Sequence, residues 1–246
     1  MAHEQVAIQT SDGLCHAHVM SPCDGGPWPA TIFYADAGGI RPAVVDMARH
    51  LADAGYIVLL PDLFYRYGPY GPLVPTDVFK GDVRAILGPL MATTSNVKAA
   101  EDTQAFLDYV DTRADVAGRM IGAVGFCMGG GMAITSAANY PDRFAAVASF
   151  HGGNLATDAP SSPHLLASRL RAEVYVAGAE NDGSYPPAMA DRLEAALTEA
   201  SVQHLVETYP GAAHGWMVPD FPAYDQVSAE RGWQTMLALF QRNLRE

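Results

Sequence analysis

The stretch Ile121-Gly122-Ala123-Val124-Gly125-Phe126-Cys127-Met128-Gly129-Gly130-Gly131 constrains this chain more than any other. An apolar run of strand character ends at Cys127, and a helix pattern opens at the next residue. Gly125 and Gly129 stand two residues to either side of the cysteine. A strand that turns straight into a helix leaves no room for side chains at those two places, and its apex residue takes a strained backbone. The thiol of Cys127 is thereby pushed out past the sheet edge. The Met128 N–H turns towards the same spot, and the helix N-terminus adds a positive potential that favours a thiolate. On the pattern alone, a buried structural cysteine in a Gly-rich turn is the competing reading.

Such a turn needs alternating strands and helices around it, and the chain supplies them. Residues 6–10 and 14–20 read as a hairpin about Ser11-Asp12-Gly13. Residues 30–35 and 56–60 read as strands flanking a helix over 42–54, with Pro42 in its first turn and Gly55 at its stop. A long helix is expected over 97–116, with Asp102, Asp108 and Asp111 on its wet side. Strands follow over 120–126, 144–150, 173–177 and 203–209, and helices over 128–139, 187–200 and 226–244. With no internal repeat or linker, residues 1–246 read as a single α/β domain: about eight mostly parallel strands with helices on both faces. Residues 63–96 break the rhythm. They hold Phe64, Tyr65, Tyr67, Tyr70 and Phe79 among Gly and Pro residues, and are too long for a simple connector. They read as a cover over a pocket, or else as a packed excursion.

Three predicted strand ends carry Cys127, Asp182 and His214, in that chain order. A thiol nucleophile needs a base to take its proton and later give it to a leaving group, which His214 suits. The base needs a carboxylate to fix its tautomer, which Asp182 suits. Each residue has an ordinary reading by itself, Asp182 as a turn residue in Asn181-Asp182-Gly183 and His214 as a loop histidine. It is their coincidence at strand ends that points to catalysis. Glu180 is the rival acid, and His151 and His204 are rival bases. The Met128 N–H is one expected oxyanion donor, and the Ala37 N–H, after the strand at 30–35, is the second. A neutral histidine with the usual pKa of ~6.5 predicts a kcat/KM that rises through that pH.

The chain of 246 residues carries 27 acidic against 15 basic side chains, a net charge of -12 that argues against nucleic acid or an anionic membrane as partner. Three cysteines, Cys15, Cys23 and Cys127, resemble no disulfide framework. With no signal-like start and no apolar run of ~20 residues, a reducing, cytoplasmic setting is expected. His16 and His18 share a strand face, but no third ligand lies nearby to make a metal site. The chemistry calls for no cofactor and no metal. The expected partner is a small molecule, bound by a monomer or small homo-oligomer.

These residues resemble the dienelactone hydrolases, cysteine-nucleophile members of the α/β-hydrolase fold. The resemblance rests on Gly125-Phe126-Cys127-Met128-Gly129-Gly130, on Pro61-Asp62-Leu63 with Arg66 behind it, on Asp182 with Pro186, and on Ala213-His214-Gly215. It implies hydrolysis of a lactone or ester through an acyl-enzyme. Thioester hydrolysis, acyl transfer and ligand capture without catalysis are the alternatives. The family archetype activates its thiol with a Glu, where this chain has Asp36. A turn-capping role for Asp36 competes with that one. The archetype also grips a substrate carboxylate with two arginines. One of those positions is Val218 here, and Arg84 is a candidate for the other. Tyr65 and Trp216 are further pocket candidates and, with the aromatic cover, suggest a more apolar substrate.

Overall fold

A computed structural model describes residues 2–23 and 25–245. Eight strands make one sheet: β1 (Ala2–Thr10), β2 (Gly13–Ser21), β3 (Ala30–Tyr34), β4 (Ile57–Pro61), β5 (Ile121–Phe126), β6 (Phe144–Phe150), β7 (Glu173–Asn181) and β8 (His204–Ala213). Their order is β1-β2-β4-β3-β5-β6-β7-β8. The β1–β2 hairpin and the β2–β4 pair are antiparallel, and every other pair is parallel. Strands β3, β4 and β5 are buried along their whole length, which matches their unbroken apolar sequences.

Helices cover both faces: α1 (Pro42–Asp53), α4 (Asn96–Asp111), α5 (Met128–Asn139), α6 (Pro187–Glu199) and α7 (Gln226–Leu244). Strand β5 shows how they divide. A side chain at Gly122 would meet Phe240 and Leu244 of α7, whereas one at Gly125 would meet the start of α5. An odd separation along a strand reverses the face, so α5 and α7 lie on opposite sides. Helix α4 packs on α5, and α1 joins α7 through an edge contact of His50 with Trp233 at 4.6 Å.

The chain leaves β3 by α1 to build β4 on one side, then returns to place β5 on the other. Neighbouring loops at the β3 and β5 ends therefore diverge, and the crevice so made at strand C-termini is where open α/β sheets bind ligands.

Two expectations need correction. Helix α4 stops at Asp111, short of the expected residue 116. Asp102, expected on the wet side, is 2% exposed. It accepts two hydrogen bonds from Arg66 and one from the Tyr65 hydroxyl, so the charge is buried only because it is paired. Two short helices, α2 (Pro75–Lys80) and α3 (Val83–Met91), lie within residues 63–96.

Candidate active site

Cys127 stands at the apex between β5 and α5 with φ 55 and ψ -119. A non-glycine residue costs on the order of 1–3 kcal/mol there, so the surroundings must impose it. They do so by contact. A Cβ on Gly125 would overlap the Gly129 carbonyl, and one on Gly129 would overlap the Tyr34 carbonyl at the end of β3. Only glycines let the turn close this tightly against the neighbouring strand. The Cys127 N–H is shared between the Phe150 carbonyl at 3.1 Å and His151 Nδ1 at 3.2 Å.

His214 and Asp182 come from the loop after β8 and the end of β7. The His214 Nε2 lies 3.1 Å from the Cys127 Sγ, and its Nδ1 lies 2.6 Å from an Asp182 oxygen. The other Asp182 oxygen accepts from the Ser184 N–H at 2.8 Å and the Ser184 hydroxyl at 2.6 Å. Burial disfavours a charged His214. The hydrogen bonds to Asp182 and Cys127 and the negative charge of both outweigh it, and push its pKa up to about 10. Burial likewise raises Asp182, but the bonds from His214 and Ser184 hold its carboxyl below the usual range.

Neither rival base reaches the Cys127 thiol. His204 opens β8, where its Nδ1 lies 2.7 Å from the Val202 carbonyl. His151 is fully buried, with its ring 5.2 Å from that of His214. Burial and then the His214 charge hold its pKa well below the ordinary value. Neutral, and accepting at Nδ1, it carries its proton on Nε2, which has no partner. The rival acid Glu180 is exposed and accepts from the Gly211 N–H.

Asp36 accepts from the Gly38 N–H at 2.7 Å and from Arg41 at 2.9 and 3.1 Å. Its carboxylate thus caps the loop after β3 and pairs with a guanidinium, and the thiol is not among its partners. Arg41 also donates to both oxygens of Asp220 and to the Gly39 carbonyl. The Ala37 N–H, in the loop so braced, and the Met128 N–H donate to no turn, loop or side-chain acceptor among the described residues.

The three other pocket candidates fall outside the cavity beside Cys127. Tyr65 turns away to Asp102 and to Thr10, at 2.8 and 2.7 Å. Trp216 is wholly buried and stacks on Tyr209 at 4.3 Å. Arg84 is exposed on α3. The cavity is instead lined from residues 63–96 by Leu73, Val78, Phe79, Leu87 and Met91, and closed by Phe221. Of the aromatic residues in that segment, only Phe79 faces it. Tyr70 bonds to Asp62, and Phe64 packs on Tyr70. Sequence reasoning missed Ser184 and Arg41, and weighed His151 only as a base. The Asn-Asp-Gly-Ser turn carried a signal for Ser184, since Asp side chains in such turns accept from the backbone two residues on.

Among the described residues, no group of three or more His, Cys, Asp or Glu side chains is placed to hold a metal ion. Among the same residues, no helix is long and apolar enough to cross a membrane.

Residues 15–244 match the model of the dienelactone hydrolase family. A protein of Escherichia coli K12 named "Putative carboxymethylenebutenolidase" is 30% identical over 239 residues, covering 94% of this chain and 83% of its own. One of the same name from Synechocystis is 27% identical and covers 98% and 96%. Among solved structures, a Klebsiella pneumoniae protein titled "Putative Dienelactone Hydrolase" superposes with a TM-score of 0.86 at 24% identity, covering 98% of both chains. The dienelactone hydrolase of Anabaena variabilis superposes with a TM-score of 0.66 at 20% identity, covering 99% of both, and both likenesses bear on the fold alone.

Proposed function

This chain belongs to the dienelactone hydrolase family and is a lactone or ester hydrolase, and we propose that Cys127, His214 and Asp182 perform the hydrolysis through an acyl-cysteine. The observation that carries the proposal is the continuous row of sulfur, imidazole and carboxylate, with gaps of 3.1 and 2.6 Å. The Cys127 proton passes to the Nε2 of His214, whose raised pKa favours holding it, and leaves a thiolate.

The thiolate attacks the ester carbonyl carbon, and the oxygen takes the negative charge within reach of the Met128 and Ala37 N–H groups. As the tetrahedral species collapses, the C–O bond breaks and the leaving alkoxide takes the Nε2 proton of His214. The acyl group is now a thioester on Cys127, and His214 is neutral. A water molecule gives a proton back to Nε2 as its oxygen attacks the thioester. The C–S bond breaks, and thiolate and imidazolium return together with a carboxylic acid, which ionises to solvent. Asp182 keeps Nδ1 protonated throughout and steadies the imidazolium. Residues 63–96 serve as the cover that keeps one side of the cavity apolar.

Cys127→Ala is expected to abolish turnover of p-nitrophenyl butyrate, and intact-mass analysis of the His214→Ala protein is expected to trap one butyryl group on Cys127. A Cys127→Ala protein that keeps its turnover refutes the mechanism.

A further inference from the structure

The cavity at Cys127 has two lobes that share Cys127, His214 and Met91. The lobe under the cover is about 220 Å³, with a wall of Leu73, Val78, Leu87 and Phe221 and almost no polar surface. The other is about 400 Å³ and presents Thr94, Ser95, Asn96, Asn154, Ser161 and Ser184. Neither lobe contains a lysine or an arginine.

The cations in the neighbourhood are turned elsewhere: Lys98 donates to the Thr93 carbonyl at 3.2 Å and lines neither lobe. Arginine has five N–H donors, and Arg41 makes five hydrogen bonds: two to Asp36, two to Asp220 and one to the Gly39 carbonyl. Phe221, whose ring lies 5.3 Å from the Arg41 guanidinium, forms part of the apolar wall. Position 218 is a fully buried valine, and Arg84 points to solvent. His214 spends its charge between Asp182 and Cys127. A carboxylate entering either lobe would lose its water with no cation to replace it. It would also approach a protein of net charge -12.

Resting on the hydrolase reading above, we infer that the substrate is an uncharged ester or lactone: one short apolar substituent fills the lobe under the cover, and a neutral hydrogen-bonding group fills the other. The cleft thus turns away anionic substrates.

The test compares two acyl groups of equal carbon count, p-nitrophenyl butyrate and p-nitrophenyl hemisuccinate, on wild type, Cys127→Ala, Leu87→Arg and Leu87→Gln. Leu87 is half-exposed on the cavity wall, so a longer polar side chain is tolerated there. Wild type is expected to favour the butyrate in kcat/KM by about 100-fold or more. Leu87→Arg is expected to shift that ratio towards the hemisuccinate by about tenfold relative to Leu87→Gln. Comparable wild-type rates overturn the inference, and so does a ratio that Leu87→Arg leaves unmoved. Neither outcome touches the mechanism, provided that both activities vanish in Cys127→Ala. Activity surviving in that variant refutes the mechanism instead, and a wild type inert to both esters refutes both.

Discussion

Replacing Asp182 by Asn changes one oxygen into an amide nitrogen at the end of the proposed catalytic row and alters little else in size. The lost oxygen is the acceptor 2.6 Å from His214 Nδ1, while the Ser184 bonds to the other oxygen can persist. The hydrogen bond to this carboxylate leads the influences that lift His214 to about 10 against burial, and the carboxylate's charge adds to it. Without it the pKa moves back towards the ordinary ~6.5, at which roughly one imidazole in ten is protonated at pH 7.5. The proton needed by the leaving group is then missing in most molecules, and an amide N–H facing Nδ1 also favours the wrong tautomer. The sign follows from the role. An acid must be protonated, so activity is present below its pKa and lost above it. Wild-type kcat/KM on ethyl butyrate, whose ethoxide must be protonated to leave, should hold level from about pH 7 to 9 and fall on passing about 10, not rise through ~6.5 as for a neutral base. In Asp182→Asn the alkaline fall should move down by more than about one pH unit, and kcat should drop on the order of 10²–10⁴-fold. Coupled detection of the released ethanol against pH reads the limb in both proteins. An alkaline limb that stays near the wild-type position in the variant, with the fold intact, refutes the assignment of Asp182 as the partner of His214.

His151→Phe removes the second acceptor of the Cys127 N–H and leaves the Phe150 carbonyl. One lost hydrogen bond of about 1 kcal/mol predicts a kcat lowered about five- to tenfold with KM unchanged. The alkaline limb should stay in place, because the lost ring carried no charge; steady-state kinetics across pH would show it. Asp102→Ala strands the Arg66 guanidinium, which is 9% exposed and keeps only Asp12 as an ionic partner. Breaking a buried pair from one side costs about 3–5 kcal/mol, to be read from the urea midpoint, while activity per folded molecule on the butyrate ester stays at the wild-type level.

The elbow could be read from the chain because its determinants are local. Five residues fix a turn in which Gly125 makes room for the Gly129 backbone and Gly129 for the end of β3, and Cys127 stands at the strained apex that this requires. His214 and Asp182 could be placed because strand ends follow from period-two patterns and the order of elements, with no need to know which atoms meet. The pocket was harder, because a side chain's direction in an irregular segment depends on partners distant in sequence. Tyr65 looked like a pocket aromatic, yet it is claimed by Asp102, 37 positions away. Trp216 lies two residues beyond His214, and the turn that aims the imidazole at Cys127 buries the indole against Tyr209 and Phe150. Asp102 was misplaced for the same reason: helical spacing describes a face, but Arg66 on another element decides whether a carboxylate may be buried there.

Asp36 carries this furthest, because its chemical type suited two roles and only its contacts separate them. Both of its oxygens face Arg41, whose guanidinium reaches on to Asp220 in the segment that follows His214. The side chains of Arg41 and Asp36 are each 1% exposed, a setting in which a charge is tolerable only when fully paired. The cluster therefore joins the loop that holds Ala37, the proposed oxyanion donor, to the segment that carries His214, the proposed base, two pieces of chain with no regular secondary structure to hold them. Oxyanion stabilisation depends on donors fixed before the charge appears, and a proton relay depends on distances held to a few tenths of an ångström. A buried guanidinium with every donor used supplies that rigidity from outside the reacting atoms. The same saturation leaves it no hydrogen bond to offer a substrate, so the rigidity of the site and its lack of an anion clamp come from one arrangement.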